Sequence, residues 1–418
     1  MQPIKNRNYL SKHRYALVFF LFVVLYNWLI VRRLRFWKVS DITFAYHVVD
    51  YSLGFRSQLL PGAIFYGIFG EHAGETTTTV YETVLLLLFF AGVSFLLERF
   101  LNHVEPPQKN AAFFLLLLYL SGSFTFAVFS DDLGMLDVYW LFFSLLFFLF
   151  LEKRGLRFLI PALFVLSLLV HFSSVISYLI MFSVLLLYRV STGSEKKRQT
   201  TYFLIFLLSI AATGGLFVFF LFNQNKDMPL SQEAFHQMLQ HRGSDYYIYY
   251  DYSFYNSFSG NDVVPSSVYE IADPLRRALL VILEKCRFTI RLYTDYSVNT
   301  PARAALTALL LWPIVLFFDR HLYRFRKRPD QNKLKRFCVF LMMVQFPFTA
   351  ILGCLFSPDI IRWHTHAFLI FFTLILYFTF HEEAFRRQLL QDVEKQKSNF
   401  TARVYVLAYC FSCLWAYC

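Results

Sequence analysis

Long apolar runs separated by polar segments set the pattern of this chain. Runs of spanning length stand at about 15–31, 81–99, 111–129, 137–151, 202–222, 304–318, 338–356 and 364–380. Roughly 20 apolar residues cross a bilayer as one helix, so each run predicts a membrane helix. The run at 158–188 is longer than one ordinary span and short for two, with His171, Ser173 and Ser174 at its middle. A last run, 404–418, reads as a short span or an interfacial helix. Apolar residues come in unbroken stretches and do not alternate, which excludes an outer-membrane barrel. The fold class is all-α: a polytopic helical membrane protein, one multi-pass domain over 1–418.

Charge placement resolves the ambiguous run. With the N-terminus cytoplasmic and 158–188 folded as a hairpin of two short helices, the cytoplasmic segments hold 26 Lys and Arg against 14 on the other side. With 158–188 as one span, the totals become 18 inside and 22 outside. Lys and Arg accumulate in cytoplasmic loops, so the hairpin is the expected arrangement, with about 10–11 spans in all. Two extracytoplasmic segments are then long, 32–80 and 223–303. The first carries an apolar stretch, Leu59 to Phe69, too short to span and expected to be interfacial or re-entrant. In the second, Asp273-Pro274 predicts the start of an amphipathic helix over about 275–292, ringed by Arg276, Arg277, Lys285, Arg287 and Arg291.

Composition agrees. Hydrophobic residues make up 57% of the 418 positions and charged residues only 16%, against about 25% in soluble chains. The net charge of +12 would suggest nucleic acid in a soluble protein. Here it follows from basic cytoplasmic loops, so the expected partners are membrane lipid and no nucleic acid. The six cysteines lack metal spacing. The first apolar run follows a basic stretch without a small-residue cleavage site, which predicts a retained span. Walker A, HExxH and GxSxG patterns are missing.

The ionisable residues converge by topology. Asp41, Asp50 and Arg56 lie in the first long loop, and Asp131, Asp132 and Asp137 in the next outside turn. His171 falls at the hairpin tip, and Asp359, Arg362, His364 and His366 in the last short outside loop. Charged groups near hydrocarbon are expensive, and several meeting on one side point to function. Arg362 has the planar fork that suits phosphate or carboxylate; an ion pair with Asp359 or another aspartate is the bland alternative. Asp131 is equally suited to capping the following helix. His364 and His366 at i,i+2 spacing lie on different faces of a helix, which disfavours a metal pair. A phosphate donor, a proton shuttle or a plain interfacial histidine fits them better. His171 has a hydrogen bond to a neighbouring span as its bland role. The tyrosine-rich stretch Tyr246 to Tyr255 suits sugar stacking or an interfacial aromatic belt.

The span layout over about 15–380, with Asp41 and Asp50 in the first loop, the Asp131/Asp132/Asp137 turn and Asp359-x-x-Arg362, resembles the GT-C superfamily of lipid-linked-sugar glycosyltransferases. It also resembles integral membrane polymerases of bacterial surface polysaccharides. No adjacent Asp-Glu pair or Asp-x-Asp stands in the first loop, where many GT-C enzymes have one. The resemblance implies a polyprenyl-phosphate sugar donor met at the outer face of the bacterial inner membrane. It implies a first-loop carboxylate, Asp41 or Asp50, as base, and Arg56 and Arg362 against the leaving phosphate. Asp131, Asp132, Asp137, His171, Asp359 and His364 would bind substrate, and the aspartates could hold a divalent ion such as Mg or Mn. A transporter or flippase of lipid-linked glycans is the alternative.

Overall fold

The computed structural model describes residues 13–122, 125–131, 133, 136–193, 195–223, 230–244, 265–269, 271–295, 299–356 and 360–412. Every extended element among them is a helix. Helix α1 (Arg14–Tyr26) continues through a wider turn at Asn27–Val31. The first long loop holds α2 (Asp41–Val48) and α3 (Leu60–Phe69). There follow α4 (Glu75–His103), α5 (Lys109–Ser121), the short α6 (Ala127–Asp131) and α7 (Asp137–Glu152). Next come α8 (Ile160–Val170), α9 (Tyr178–Thr192) and α10 (Lys196–Asn223). The second long loop holds α11 (Gln232–His241), α12 (Ser266–Tyr269) and α13 (Pro274–Asp295). The chain continues through α14 (Asn299–Arg326), α15 (Lys333–Phe356), α16 (Ile360–His381), α17 (Glu383–Lys397) and α18 (Phe400–Phe411).

Five helical segments are long and apolar enough to cross a membrane: Arg14–Val31, Glu75–His103, Lys196–Phe220, Lys333–Leu355 and Ile361–His381. Shorter apolar helices pack among them. The run at 158–188 is broken as its charge pattern predicts. Helix α8 starts beside Tyr202, whose hydroxyl donates to the Leu151 carbonyl (3.3 Å) and whose ring lies under Arg157. The far end of α9 returns to the same place, where Arg189 pairs with Glu152. The two therefore run in opposite senses, joined at the tip by a tight turn at Phe172–Ile176. The run at 111–129 departs from the expected single span. Its helix stops at Ser121, and Gly122 turns extended. A side chain at Gly122 would run into the Tyr409 hydroxyl, so α18 closes on the break.

Ion pairs gather one end of the bundle. His13 meets Glu98 (2.8 Å), Arg99 meets Glu152 (3.9 Å), Lys335 meets Glu382 (2.6 Å) and His321 meets Asp392 (3.0 Å). This basic end holds termini of α1, α4, α7, α9, α15 and α16. Helices α5, α7, α8 and α9 have 13, 16, 11 and 15 residues. At 1.5 Å per residue they extend only about 17–24 Å, against more than 30 Å for α4, α10, α15 and α16. The starts of α7 and α16 meet at the far end, Asp137 against Arg362, while α4 runs on past them from Glu82 back to Glu75. The floor they form is recessed beside the end of α4.

The first long loop covers part of that floor. Ser57 Oγ donates to the Leu168 carbonyl (2.9 Å) and the Gln58 amide to the Leu169 carbonyl (3.0 Å). These bonds satisfy carbonyls that the end of α8 would otherwise leave orphaned.

Candidate functional site

Asp137 opens α7 on the floor, 1% exposed. It accepts two hydrogen bonds from Arg362 near the start of α16, Nε to Oδ2 at 2.6 Å and Nη2 to Oδ1 at 2.8 Å. His366, one turn further along α16, places Nε2 3.3 Å from Oδ2, and its Nδ1 lies 3.1 Å from the Tyr178 hydroxyl. The Asp137 carboxylate and the Arg362 guanidinium carry opposite charges, and that pairing is what permits burial.

Aromatic rings enclose the cluster. Phe129, Trp140 and Trp363 surround the His366 ring at 5.6–5.8 Å. Trp140 also stands edge-on to His171 at 6.0 Å, and its Nε1 donates to the Ser167 carbonyl (3.0 Å). His171 Nδ1 contacts the Ser173 hydroxyl at 2.6 Å and accepts from its amide, so the histidine shapes its own tip turn. Thus Trp140 stands between His171 and the Asp137, Arg362 and His366 cluster, and the loop around Arg56 reaches the end of α8 beside it. Arg362 keeps 23% side-chain exposure and is the part of the cluster that faces outward.

Arg56 is buried, with Nε donating to the Leu53 carbonyl (2.9 Å) across a turn at Gly54, whose φ of +89° suits glycine. Asp50 is engaged elsewhere. It caps the Ser52 amide (2.9 Å) and pairs with Arg242 of the second long loop (3.0 Å). Arg242 also donates to the Val48 carbonyl (2.6 Å) and lies 4.2 Å from the centre of the Tyr66 ring. Partial burial alone would raise the Asp50 carboxyl, but the Ser52 hydrogen bonds and the Arg242 charge hold it below its usual value. Asp41 is the exposed first residue of α2, following the Ser40 cap. His364 is half-buried, with Nδ1 3.9 Å from the Cys354 sulfur. Asp131 ends α6; its side chain lies outside the described residues, as do Asp132, Asp359 and the tyrosine-rich stretch.

A second buried cluster escaped the sequence reading. His47 of α2 places Nε2 2.6 Å from Glu82 Oε1 and 3.2 Å from the Tyr139 hydroxyl, while Nδ1 lies 2.7 Å from the Thr43 carbonyl. His47 and Glu82 are fully buried. Tyr139 shares the first turn of α7 with Asp137 but, at i,i+2 spacing, lies on a different face of the helix. The available signal was Glu82 itself, an acid inside the apolar run 81–99. Among the described residues, no three His, Cys, Asp or Glu side chains are close enough to share a metal ion.

No protein-family model, curated protein or solved structure matches this chain.

Proposed function

We propose that this chain is an integral membrane glycosyltransferase of the bacterial inner membrane, GT-C-like, with about 10–11 spans and a cytoplasmic N-terminus. It takes a sugar from a lipid-phosphate donor at its outer face, in cell-surface glycan assembly. The observation that carries this reading is the recessed floor, where Asp137, Arg362, His366 and His171 meet beside the Arg56 loop. A lipid-anchored phosphate must be met at the membrane surface, and a fixed guanidinium there stabilises charge developing on the leaving group. Asp137 holds Arg362 in one orientation by two parallel hydrogen bonds, which removes reorganisation at the moment of transfer.

In the proposed step the acceptor hydroxyl attacks the anomeric carbon. The bond from that carbon to the phosphate oxygen breaks, and the lipid phosphate leaves. A carboxylate takes the hydroxyl proton. Asp50 is already committed to Arg242 and Ser52 and is held acidic, which makes it a weak base. Asp41, exposed, is the better candidate of the two first-loop aspartates. Asp131, Asp132 and Asp359 bind sugar hydroxyls or a divalent ion in this reading.

The test uses inverted and right-side-out membrane vesicles carrying radiolabelled polyprenyl-phosphate sugars. Arg362→Ala and Asp41→Ala are expected to lower product at least tenfold at equal protein level. Full transfer by both variants, or movement of intact labelled lipid across the bilayer without transfer, overturns the proposal.

A further inference from the structure

A cleft of about 540 Å³ runs between α4, α7 and α16, from Tyr178 beside the floor cluster toward the basic end. Its walls are apolar side chains, and three of them, Leu88, Leu96 and Leu149, are also strongly exposed. The cleft is therefore open sideways, toward the bilayer. Along α16 it reaches from Leu369 to His381. Twelve residues of helix rise make that about 18 Å, close to the roughly 15 Å of hydrocarbon in one leaflet.

The two ends of the cleft differ. Its charged lining residues are Arg99, Glu152 and Lys153, at the basic end beside His381. The deep end is closed by Tyr119, Tyr178 and Thr373. An amphiphile can lie here in one direction only, head at the basic end and chain toward Tyr178. His381 is shared with a second, polar pocket of about 400 Å³ lined by Arg189, Arg198, Lys335, Asp330 and Glu382. Together the two mouths present five Lys or Arg against three carboxylates. Glu152 is held by Arg189, with Arg99 further off at 3.9 Å and 58% exposed. The excess positive charge is thus accessible at the mouth, at the depth of lipid phosphates.

We propose that this cleft is a binding site for an anionic glycerophospholipid of the leaflet at the basic end. One acyl chain lies between α4, α7 and α16, and the phosphate sits at Arg99 and Lys153. The site adjoins the transfer floor at Tyr178, whose hydroxyl meets His366, and does not depend on the glycosyltransferase reading. Lipid bound there ties the ends of α4, α7 and α16 together, beneath the helix that carries Asp137.

Native mass spectrometry of the full chain, released from nanodiscs of equal phosphatidylglycerol and phosphatidylcholine, tests this. Wild-type protein is expected to retain one phosphatidylglycerol in at least tenfold preference. The double variant Arg99→Gln/Lys153→Gln is expected to lose the preference while keeping its thermal midpoint. Leu96→Trp, which fills the cleft from its open side, is expected to lose retention of both lipids. Equal retention of the two lipids by wild type overturns the proposal, as does unchanged preference in the double variant. Displacement of phosphatidylglycerol by equimolar polyprenyl phosphate overturns it too, because the cleft would then serve the donor's chain.

Discussion

Replacing Arg362 with Gln removes the guanidinium that holds Asp137. The carboxylate it leaves behind is 1% exposed and keeps only the His366 imidazole at 3.3 Å. Breaking a buried pair from one side costs about 3–5 kcal/mol, because the surviving charge lacks both partner and water. The reverse variant, Asp137→Asn, leaves a guanidinium that is 23% exposed. Its cost is expected to be smaller, about 1.5–3 kcal/mol, the range for a charged hydrogen bond. The double variant puts two amides face to face and restores neutral hydrogen bonds, so the cycle is expected to show a coupling of about 2 kcal/mol. Unfolding in mixed dodecylmaltoside and SDS micelles measures this. Trp140 and Trp363, both packed around His366, report the local transition by fluorescence. A coupling below about 0.5 kcal/mol, or equal costs for the two single variants, refutes the electrostatic argument. The same variants separate structure from chemistry. If Arg362 only props the fold, the double variant recovers transfer along with stability. If Arg362 meets the phosphate, stability returns and transfer does not.

Two further outcomes follow from the first long loop. Gly62 of α3 lies against the Val49 and Tyr46 carbonyls, whereas Gly67 on the same helix faces open space. Gly62→Ala is expected to lose about 1–3 kcal/mol by overpacking, while Gly67→Ala gains up to about 1 kcal/mol from helix propensity; thermal midpoints in nanodiscs decide between them. Asp50 is held below its usual value, so its contribution to docking α11 is present above about pH 4 and lost as the pH falls through the lowered folded value. Amide exchange over Gln232–His241, corrected for intrinsic rates, is expected to speed up between pH 5.5 and 3. Asp50→Asn is expected to show fast exchange at both; an unchanged wild-type profile removes the Asp50–Arg242 tether from the account.

Helix existence was legible because lipid leaves backbone groups no water to bond, so apolar runs must be helical. The hairpin at 158–188 was legible from loop charges alone, since Lys and Arg placement carries the topology. The pairing of Asp137 with Arg362 was legible only as a shared side. The sequence nominated Asp359, three residues from Arg362, as a partner equally well, and which aspartate faces the guanidinium depends on how α7 and α16 pack. The end of α5 at Ser121 was hidden, because Gly122 breaks the run through contact with Tyr409, nearly 300 residues away. His47 was missed for a related reason. A histidine in a polar loop carries no periodic signal, and its partner Glu82 stands near the start of the apolar run 81–99.

The short helices explain why ionisable groups cluster where they do. A helix that stops below the membrane surface exposes unpaired carbonyls or amides at a depth where water is scarce. Each such end needs polar partners, and the partners recorded here come from elsewhere in the chain: Ser57 and Gln58 at the end of α8, and Thr349 at the Ile176 carbonyl of the tip turn (2.8 Å). Stopping short therefore draws polar side chains inward as a structural necessity. That necessity accounts for Ser57, Gln58 and Thr349, which bond to backbone. Arg362, Asp137 and His366 are arranged differently, bonding side chain to side chain between α7 and α16. A neutral ion cluster is no more stabilising than apolar packing of the same volume. Whether the cluster does more than hold α7 and α16 together is what the Arg362 and Asp137 double variant separates, by stability returning with or without transfer.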